Sequence, residues 1–116
     1  MGGTYDVTLY GPEVRPDGVV GSGTLVLRST SVGVSPVSVG GTWRLQYATD
    51  DGTRVEGAGV VRGWFDGVNA SLELGREEIA DAGYHFGGTV EGDEIRGEWT
   101  VEYGVSEGTA RFVARR

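Results

Sequence analysis

The 116-residue chain is long enough for one domain with a modest hydrophobic core, since 38% of its residues are hydrophobic. Its net charge of −7, with ten arginines and no lysine, makes nucleic acid and anionic membrane surfaces poor partners. The absence of cysteine excludes disulfide bonds, thiolate catalysis and cysteine-ligated zinc. No apolar run approaches the roughly 20 residues of a transmembrane helix, so we expect no membrane insertion. We expect a soluble protein, either cytoplasmic or exported after signal removal.

Alternation of apolar and polar residues recurs along the whole chain and predicts eight strands. In chain order these span residues 4–10, 19–28, 42–48, 54–62, 68–74, 82–91, 94–103 and 109–115. Residues 29–39 are predicted to form a long connection, because Pro36 cannot donate to a central strand. Residues 75–81 are predicted to form one helical turn.

The hairpin between strands six and seven predicts its own register. Gly92 and Asp93 fit a two-residue type II′ turn with glycine first. This turn aligns apolar or small residues on one face: Val90 with Ile95, Gly88 with Gly97, Phe86 with Trp99, and Tyr84 with Val101. On the other face it pairs Thr89 with Arg96 and His85 with Thr100.

Two further hairpins can be aligned from residue chemistry. Strands three and four place Tyr47 opposite Val55, Leu45 opposite Gly57 and Trp43 opposite Gly59, so that a large ring covers a glycine. Strands seven and eight are predicted to pair Val101 with Phe112 and Trp99 with Ala114 on the inner face. Outside, opposite charges would then meet, Glu102 with Arg111 and Glu98 with Arg115.

Eight strands in sequence order, each with one apolar face, predict a closed sheet. Closure buries that face and leaves no strand edge open. We therefore predict an all-β, eight-stranded antiparallel up-and-down (meander) β-barrel forming a single domain over residues 1–116. A two-sheet sandwich is the alternative. The 22 glycines, within strands and at turns, are typical of a strongly curved sheet.

Two short motifs resemble those of known barrels. The segments Gly41-Thr42-Trp43 and Gly97-Glu98-Trp99 are similar to the Gly-x-Trp strand opening of lipocalins and avidins, the calycin-like barrels. The closing segments, residues 88–99 and 108–114, resemble the last strands of small bacterial calycin-like proteins. The second lipocalin signature and the biotin-contacting residues of avidins have no counterpart here. The resemblance thus implies a barrel with a hydrophobic pocket and names no ligand.

The predicted barrel interior is rich in aromatic rings. If every charged strand residue points outward, eight rings line the lumen as candidate ligand-binding residues: Tyr5, Trp43, Tyr47, Tyr84, Phe86, Trp99, Tyr103 and Phe112. Inward glycines at 21, 23, 57, 59, 88 and 97 lie between them. This composition fits either a packed core of large and small residues or a cavity walled by rings. In the second case the four phenols would orient an apolar ligand.

Other polar or exposed residues carry weaker signals. His85 is predicted on the outer face, without a nucleophile or metal set, so we predict no catalytic residue, metal site or cofactor. The carboxylate pairs Asp50-Asp51 and Glu77-Glu78 are predicted to be solvated. Acid–base catalysis by such a pair would require burial, which the sequence does not indicate here. Trp64 and Phe65 fall where strand four is predicted to turn, either as a plug over the barrel end or as a portal or subunit contact.

Three functions remain open from the sequence. The preferred one is a barrel that binds a small apolar or aromatic ligand in its lumen. The second is a cofactor-free barrel enzyme, such as a cyclase or isomerase that works by shape and phenol hydrogen bonds. The third is a structural or interaction module with a filled core, including a homo-oligomer formed through Trp64 and Phe65.

Overall fold

The computed structural model describes residues 2–11, 19–30, 36–48, 52–76, 79–101 and 110–116. These residues form eight strands: β1 (Gly3–Tyr10), β2 (Val19–Ser29), β3 (Val37–Ala48), β4 (Arg54–Phe65), β5 (Asn69–Arg76), β6 (Ile79–Glu91), β7 (Glu94–Val101) and β8 (Ala110–Arg115). Each strand pairs antiparallel with its neighbour in sequence, and β8 pairs with β1. The predicted eight-stranded up-and-down barrel is thereby confirmed. In the part of the chain that the structure describes, no helix is long and apolar enough to cross a membrane.

Two hairpin registers match their prediction. Trp43 lies opposite Gly59 in the β3–β4 pair, and Phe86 lies opposite Trp99 in the β6–β7 pair. In the β6–β7 turn Gly92 has φ +62°, and no described non-glycine residue has positive φ. Positive φ at the first turn residue only is the signature of type II′. A short turn with one glycine therefore sets this register locally.

Three predicted element boundaries were wrong. β3 begins at Val37, so residues 37–39 of the expected 29–39 connection are strand, and buried Val39 belongs to the core. β4 continues to Phe65, with its turn at residues 66–68, where the Asp66 carboxylate accepts hydrogen bonds from the Val68 and Asn69 N–H groups. The expected helical turn at 75–81 is strand on both sides, except for residues 77–78, which lie outside the described residues.

The predicted β7–β8 register was also wrong. Trp99 lies opposite Ala110 instead of Ala114, a shift of four residues. The shift is even, so the same residues still face inward. Opposite charges also still meet, because Glu98 now faces Arg111 and Glu94 faces Arg115. The local pattern fits both registers, and β8 takes the one that also lets it pair with β1.

The core lies inside the barrel and contains no buried polar or charged side chain among the described residues, except for tyrosine and tryptophan. Buried leucine, valine and isoleucine from six strands pack there with aromatic rings from β1, β3, β6, β7 and β8. Every residue that the sequence placed inward, and whose burial the structure describes, is buried or half-buried. Alternation along each strand therefore predicted the two faces of the barrel correctly.

Candidate functional site

A cluster of six aromatic rings lies inside the barrel. Trp99 is its centre, with ring centroids 5.3 Å from Tyr47, 6.1 Å from Tyr84 and 6.4 Å from Phe86. Tyr84 also meets Trp43 edge to face at 5.5 Å. Phe86 continues the cluster to Phe112 at 4.6 Å. Edge-to-face and tilted geometries such as these are the favourable ones for rings, so the cluster is an ordered wall.

The two phenols in this wall are in contact with each other. The Tyr47 and Tyr84 hydroxyl oxygens are 3.1 Å apart, a hydrogen bond in which either group can donate. Tyr84 is buried, whereas Tyr47 is half-buried one residue before the end of β3. The pair is a polar point in an otherwise apolar interior, close to the end of the barrel where β1, β3, β5 and β7 finish.

The two tryptophans of the cluster are fixed by hydrogen bonds to distant strands. Trp43 Nε1 donates to the Gly75 carbonyl oxygen at 2.8 Å, and Trp99 Nε1 donates to the Tyr10 carbonyl oxygen at 3.3 Å. Both acceptors lie where a strand pairing shifts register, between Gly75 and Arg76 and between Leu9 and Tyr10. A bulge releases a carbonyl from its ladder, and each indole satisfies the group released.

The structure brings together six of the eight predicted site residues: Trp43, Tyr47, Tyr84, Phe86, Trp99 and Phe112. Tyr5 is also buried, with 2% exposure, but within the described residues its ring makes no aromatic contact. It lies two residues from the start of β1, towards the opposite end of the barrel. Tyr103 lies outside the described residues. The predicted site therefore reduces to one ring cluster near one end.

Inward glycines bring neighbouring strands close together instead of leaving space. A Cβ atom added to Gly59 would collide with the Gly75 carbonyl oxygen, and one added to Gly88 would collide with that of Arg96. Gly21, Gly23 and Gly97 are closed off in the same way by backbone oxygens of adjacent strands. These glycines therefore permit sharp bending of the sheet, as expected at the corners of a small barrel. They do not enlarge the lumen next to the rings.

The outer face carries a pair of residues that the sequence analysis did not bring together. Ser71 Oγ and His85 Nε2 are 2.8 Å apart, and Glu73 Oε1 is 3.9 Å from the same nitrogen. In a catalytic triad the carboxylate binds the other ring nitrogen and orients the imidazole towards the nucleophile. Here serine and carboxylate share one nitrogen, so the geometry is that of a surface hydrogen bond. The β5–β6 register, with Glu73 opposite His85, would have revealed the proximity.

The adjacent residues Trp64 and Phe65 face opposite ways. Phe65 is half-buried and packs against the core near the β4–β5 turn, as expected of a plug at that end. Trp64 points outward and is 41% exposed. A homo-oligomer formed through Trp64 and Phe65 stays a prediction. Of the two side chains, Trp64 is the one that a second copy could contact. No cluster of three or more metal-ligating side chains occurs among the described residues.

We compared the chain with protein-family models, with curated proteins and with solved structures, and none of them matches it. A functional assignment therefore depends on the geometry of the barrel and its surface.

Proposed function

We propose that the protein binds a small apolar or aromatic molecule at the ring-lined end of its barrel. The observation that carries the proposal is the Tyr47–Tyr84 hydroxyl pair within the ring cluster. Ligand sites in β-barrels lie at their mouths and combine apolar walls with a few polar groups that fix orientation. The ring cluster provides the wall, and the phenol pair provides hydrogen bonding.

Tyr47 is the member of the pair best placed to contact a ligand. It is half-buried, and its ring meets both Trp99 and Tyr84 edge to face. A planar molecule at this end would replace water on the rings and could exchange hydrogen bonds with the phenols. Val55, half-buried directly across the ladder from Tyr47, forms the next part of the wall.

The net charge of −7 favours a neutral or cationic ligand over an anionic one. A net negative charge repels carboxylates such as fatty acids and attracts amines. A cationic group could also interact with the faces of the rings.

A relationship to the calycin-like barrels is part of the same proposal. An eight-stranded closed antiparallel barrel is compatible with that fold. The segments Gly41-Thr42-Trp43 and Gly97-Glu98-Trp99 resemble the Gly-x-Trp motif of those barrels. Barrels of eight strands are either filled by side chains or hold one small ligand.

Ligand titration of point variants tests the binding proposal. A neutral environment-sensitive apolar dye is titrated while tryptophan emission is followed, and saturable binding at one site is expected. Tyr47→Phe and Tyr84→Phe should each weaken the binding of dyes with a hydrogen-bonding group by about fivefold, the worth of one hydrogen bond. Val55→Phe should weaken all dyes by more than about tenfold, because it narrows the mouth.

Tyr5→Phe is the matched control, because it removes a buried phenol far from the ring cluster. Its affinity for the dye should equal that of the wild type. Absence of saturable dye binding in a folded wild type would refute the proposal, as would unchanged affinity in Val55→Phe. An equal loss in Tyr5→Phe would mean that the ligand occupies a different part of the interior.

A further inference from the structure

Three arginines lie close together on the outer face of β2, β3 and β4. Arg28 and Arg62 flank Gly40 in consecutive pairs of the ladder, so their Cα atoms are two strands, or about 10 Å, apart. Arg44 lies on β3 on the same face, four residues from Gly40. Within the described residues none of the three arginines makes an ion pair or a hydrogen bond.

Such a cluster is unusual in a chain with net charge −7. No acidic residue lies between Arg28 and Arg62, but Glu73 on β5 lies directly across the ladder from Arg62, and Glu56 on β4 lines the same surface cleft as Arg44. Three other exposed arginines behave differently, because Arg96 and Arg115 bind Glu94 and Arg116 binds Asp93. The guanidinium groups of Arg28 and Arg62, with no acidic residue between them, form a local site for anions.

Exposed apolar side chains alternate with these arginines. Val26 and Val60 lie on either side of Thr42, with exposures of 46% and 44%, and Trp64 follows Arg62 on the same face of β4. We call this surface the arginine face and define it by Arg28, Arg44, Arg62, Val26, Val60 and Trp64. Exposed tryptophan and arginine are the residues most enriched at the energetic centres of protein interfaces.

The residues of the arginine face form rows. Each row runs across β2, β3 and β4 and lies two residues further along the strands than the row before it. The first row contains Arg44, the second the two valines, the third Arg28 and Arg62, and the fourth Trp64. Two residues of a strand span about 7 Å, which is also the distance between same-side residues of an extended peptide. A cleft of about 480 Å³ is lined by Arg28, Gly40 and Arg62, with the Thr30 methyl group beside Gly40.

We propose that the arginine face binds an extended acidic segment of a partner protein. The segment would present acidic, apolar, acidic and apolar side chains at alternate positions, to match the cationic and apolar rows. The closed barrel has no strand edge, so side chains must supply the contacts. A second copy of this chain fits poorly, because two facing copies would bring arginines against arginines.

A labelled seven-residue peptide tests this proposal by fluorescence anisotropy. It carries glutamate at positions 1 and 5, valine at position 3, leucine at position 7 and serine between them. We expect saturable binding that weakens as salt is raised, because carboxylate–guanidinium contacts are screened. The double variant Arg28→Gln/Arg62→Gln should bind at least about tenfold more weakly.

The matched control is Arg54→Gln/Arg111→Gln, which changes the net charge equally at exposed positions off the arginine face. It should change the affinity by less than about twofold. A peptide with the same residues reordered, so that glutamates fall on opposite sides, should bind at least about tenfold more weakly. All four arginines are exposed, and thermal melting verifies folding; Arg44→Gln alone provides a milder second variant.

Three results would overturn the proposal. The first is an absence of saturable binding up to millimolar peptide, and the second is equal weakening by both double variants. The third is a concentration-dependent dimer that Trp64→Ser abolishes and Arg28→Gln/Arg62→Gln does not, which would make the face a self-interface. Dye binding at the ring cluster should not change in any of these variants, so the two proposals fail independently.

Discussion

The two Gly-x-Trp strands, β3 and β7, use the same tryptophan in the same way and differ in what surrounds it. Trp43 and Trp99 each donate an indole hydrogen bond to a carbonyl at a strand bulge two strands away. Trp43, however, lies across from a glycine and has one ring neighbour, Tyr84. Trp99 lies between Phe86 and Ala110 and contacts three rings.

This difference separates a structural role from a site role. Trp43 covers the backbone at Gly59, where the Gly75 carbonyl oxygen of β5 leaves no room for a side chain. Trp99 holds the wall of the ring cluster together and is slightly more exposed, at 6%. One local motif therefore provides a brace for the sheet in β3, and in β7 both a brace and the centre of the candidate site.

The largest expected effect comes from the residue opposite each tryptophan. Gly59→Ala should lower the free energy of unfolding by more than about 3 kcal/mol, because the new Cβ collides with the Gly75 carbonyl oxygen and the Trp43 indole. The reciprocal change opposite Trp99, Ala110→Gly, should cost only about 1 kcal/mol. Urea unfolding followed by circular dichroism measures both. A similar decrease in the free energy of unfolding in both variants would mean that the two tryptophans pack against their opposite residues in the same way.

The next effect concerns the indole hydrogen bonds. Trp43→Phe should cost about 3 kcal/mol, because it shrinks a packed side chain and leaves the partly buried Gly75 carbonyl without this donor. Trp99→Phe should cost less, about 2 kcal/mol, because its hydrogen bond is longer. The affinity for the dye at the ring cluster should fall in Trp99→Phe and should be unchanged in Trp43→Phe. The reverse order of stability, or a fall in affinity in Trp43→Phe, would contradict the division of roles.

The smallest effect is the acid sensitivity of the β7–β8 hairpin. Glu94 accepts hydrogen bonds from Arg96 and Arg115, which lower the pKa of its carboxyl group. A lowered pKa stabilises the fold above the ordinary glutamate pKa, and this contribution is lost as pH falls through the lowered value, below about pH 4. In Glu94→Gln, stability should therefore decline less steeply over this range.

Glu98→Gln is the control for the acid experiment. The sequence paired Glu98 with Arg115, whereas the structure pairs it with Arg111 and gives Arg115 to Glu94. A pH dependence that changes more in Glu98→Gln than in Glu94→Gln would favour the register predicted from the sequence. The comparison thus tests the one hairpin whose alignment was wrong.

Sequence patterns predicted much of the fold because their information is local. The inward faces follow from alternation, and the β6–β7 register follows from a two-residue turn with Gly92 at positive φ. Six of the predicted ring residues are indeed in one cluster. Tyr5 could not be separated from them in advance, because alternation gives the face of a residue and not its height along the barrel.

Other features required the whole barrel. Val39 and Phe65 lie in strand regions that the sequence assigned to connections, because Pro36 argued against a strand and strand four was predicted to end at Arg62. The arginine face was missed for a similar reason. Arg28, Arg44 and Arg62 are far apart in sequence and meet only when β2, β3 and β4 are in register.

The sequence by itself determined that this chain has eight strands with one apolar face each, because period-two alternation is a property of each strand alone. Tertiary structure alone decided the β7–β8 register, since a shift of four residues preserves both the inward faces and the charge pairs. Closure against β1 removes that degeneracy. Closure also gives the inward glycines their role, because only a bent and closed sheet brings the next strand's carbonyl oxygens into the space that a side chain would need.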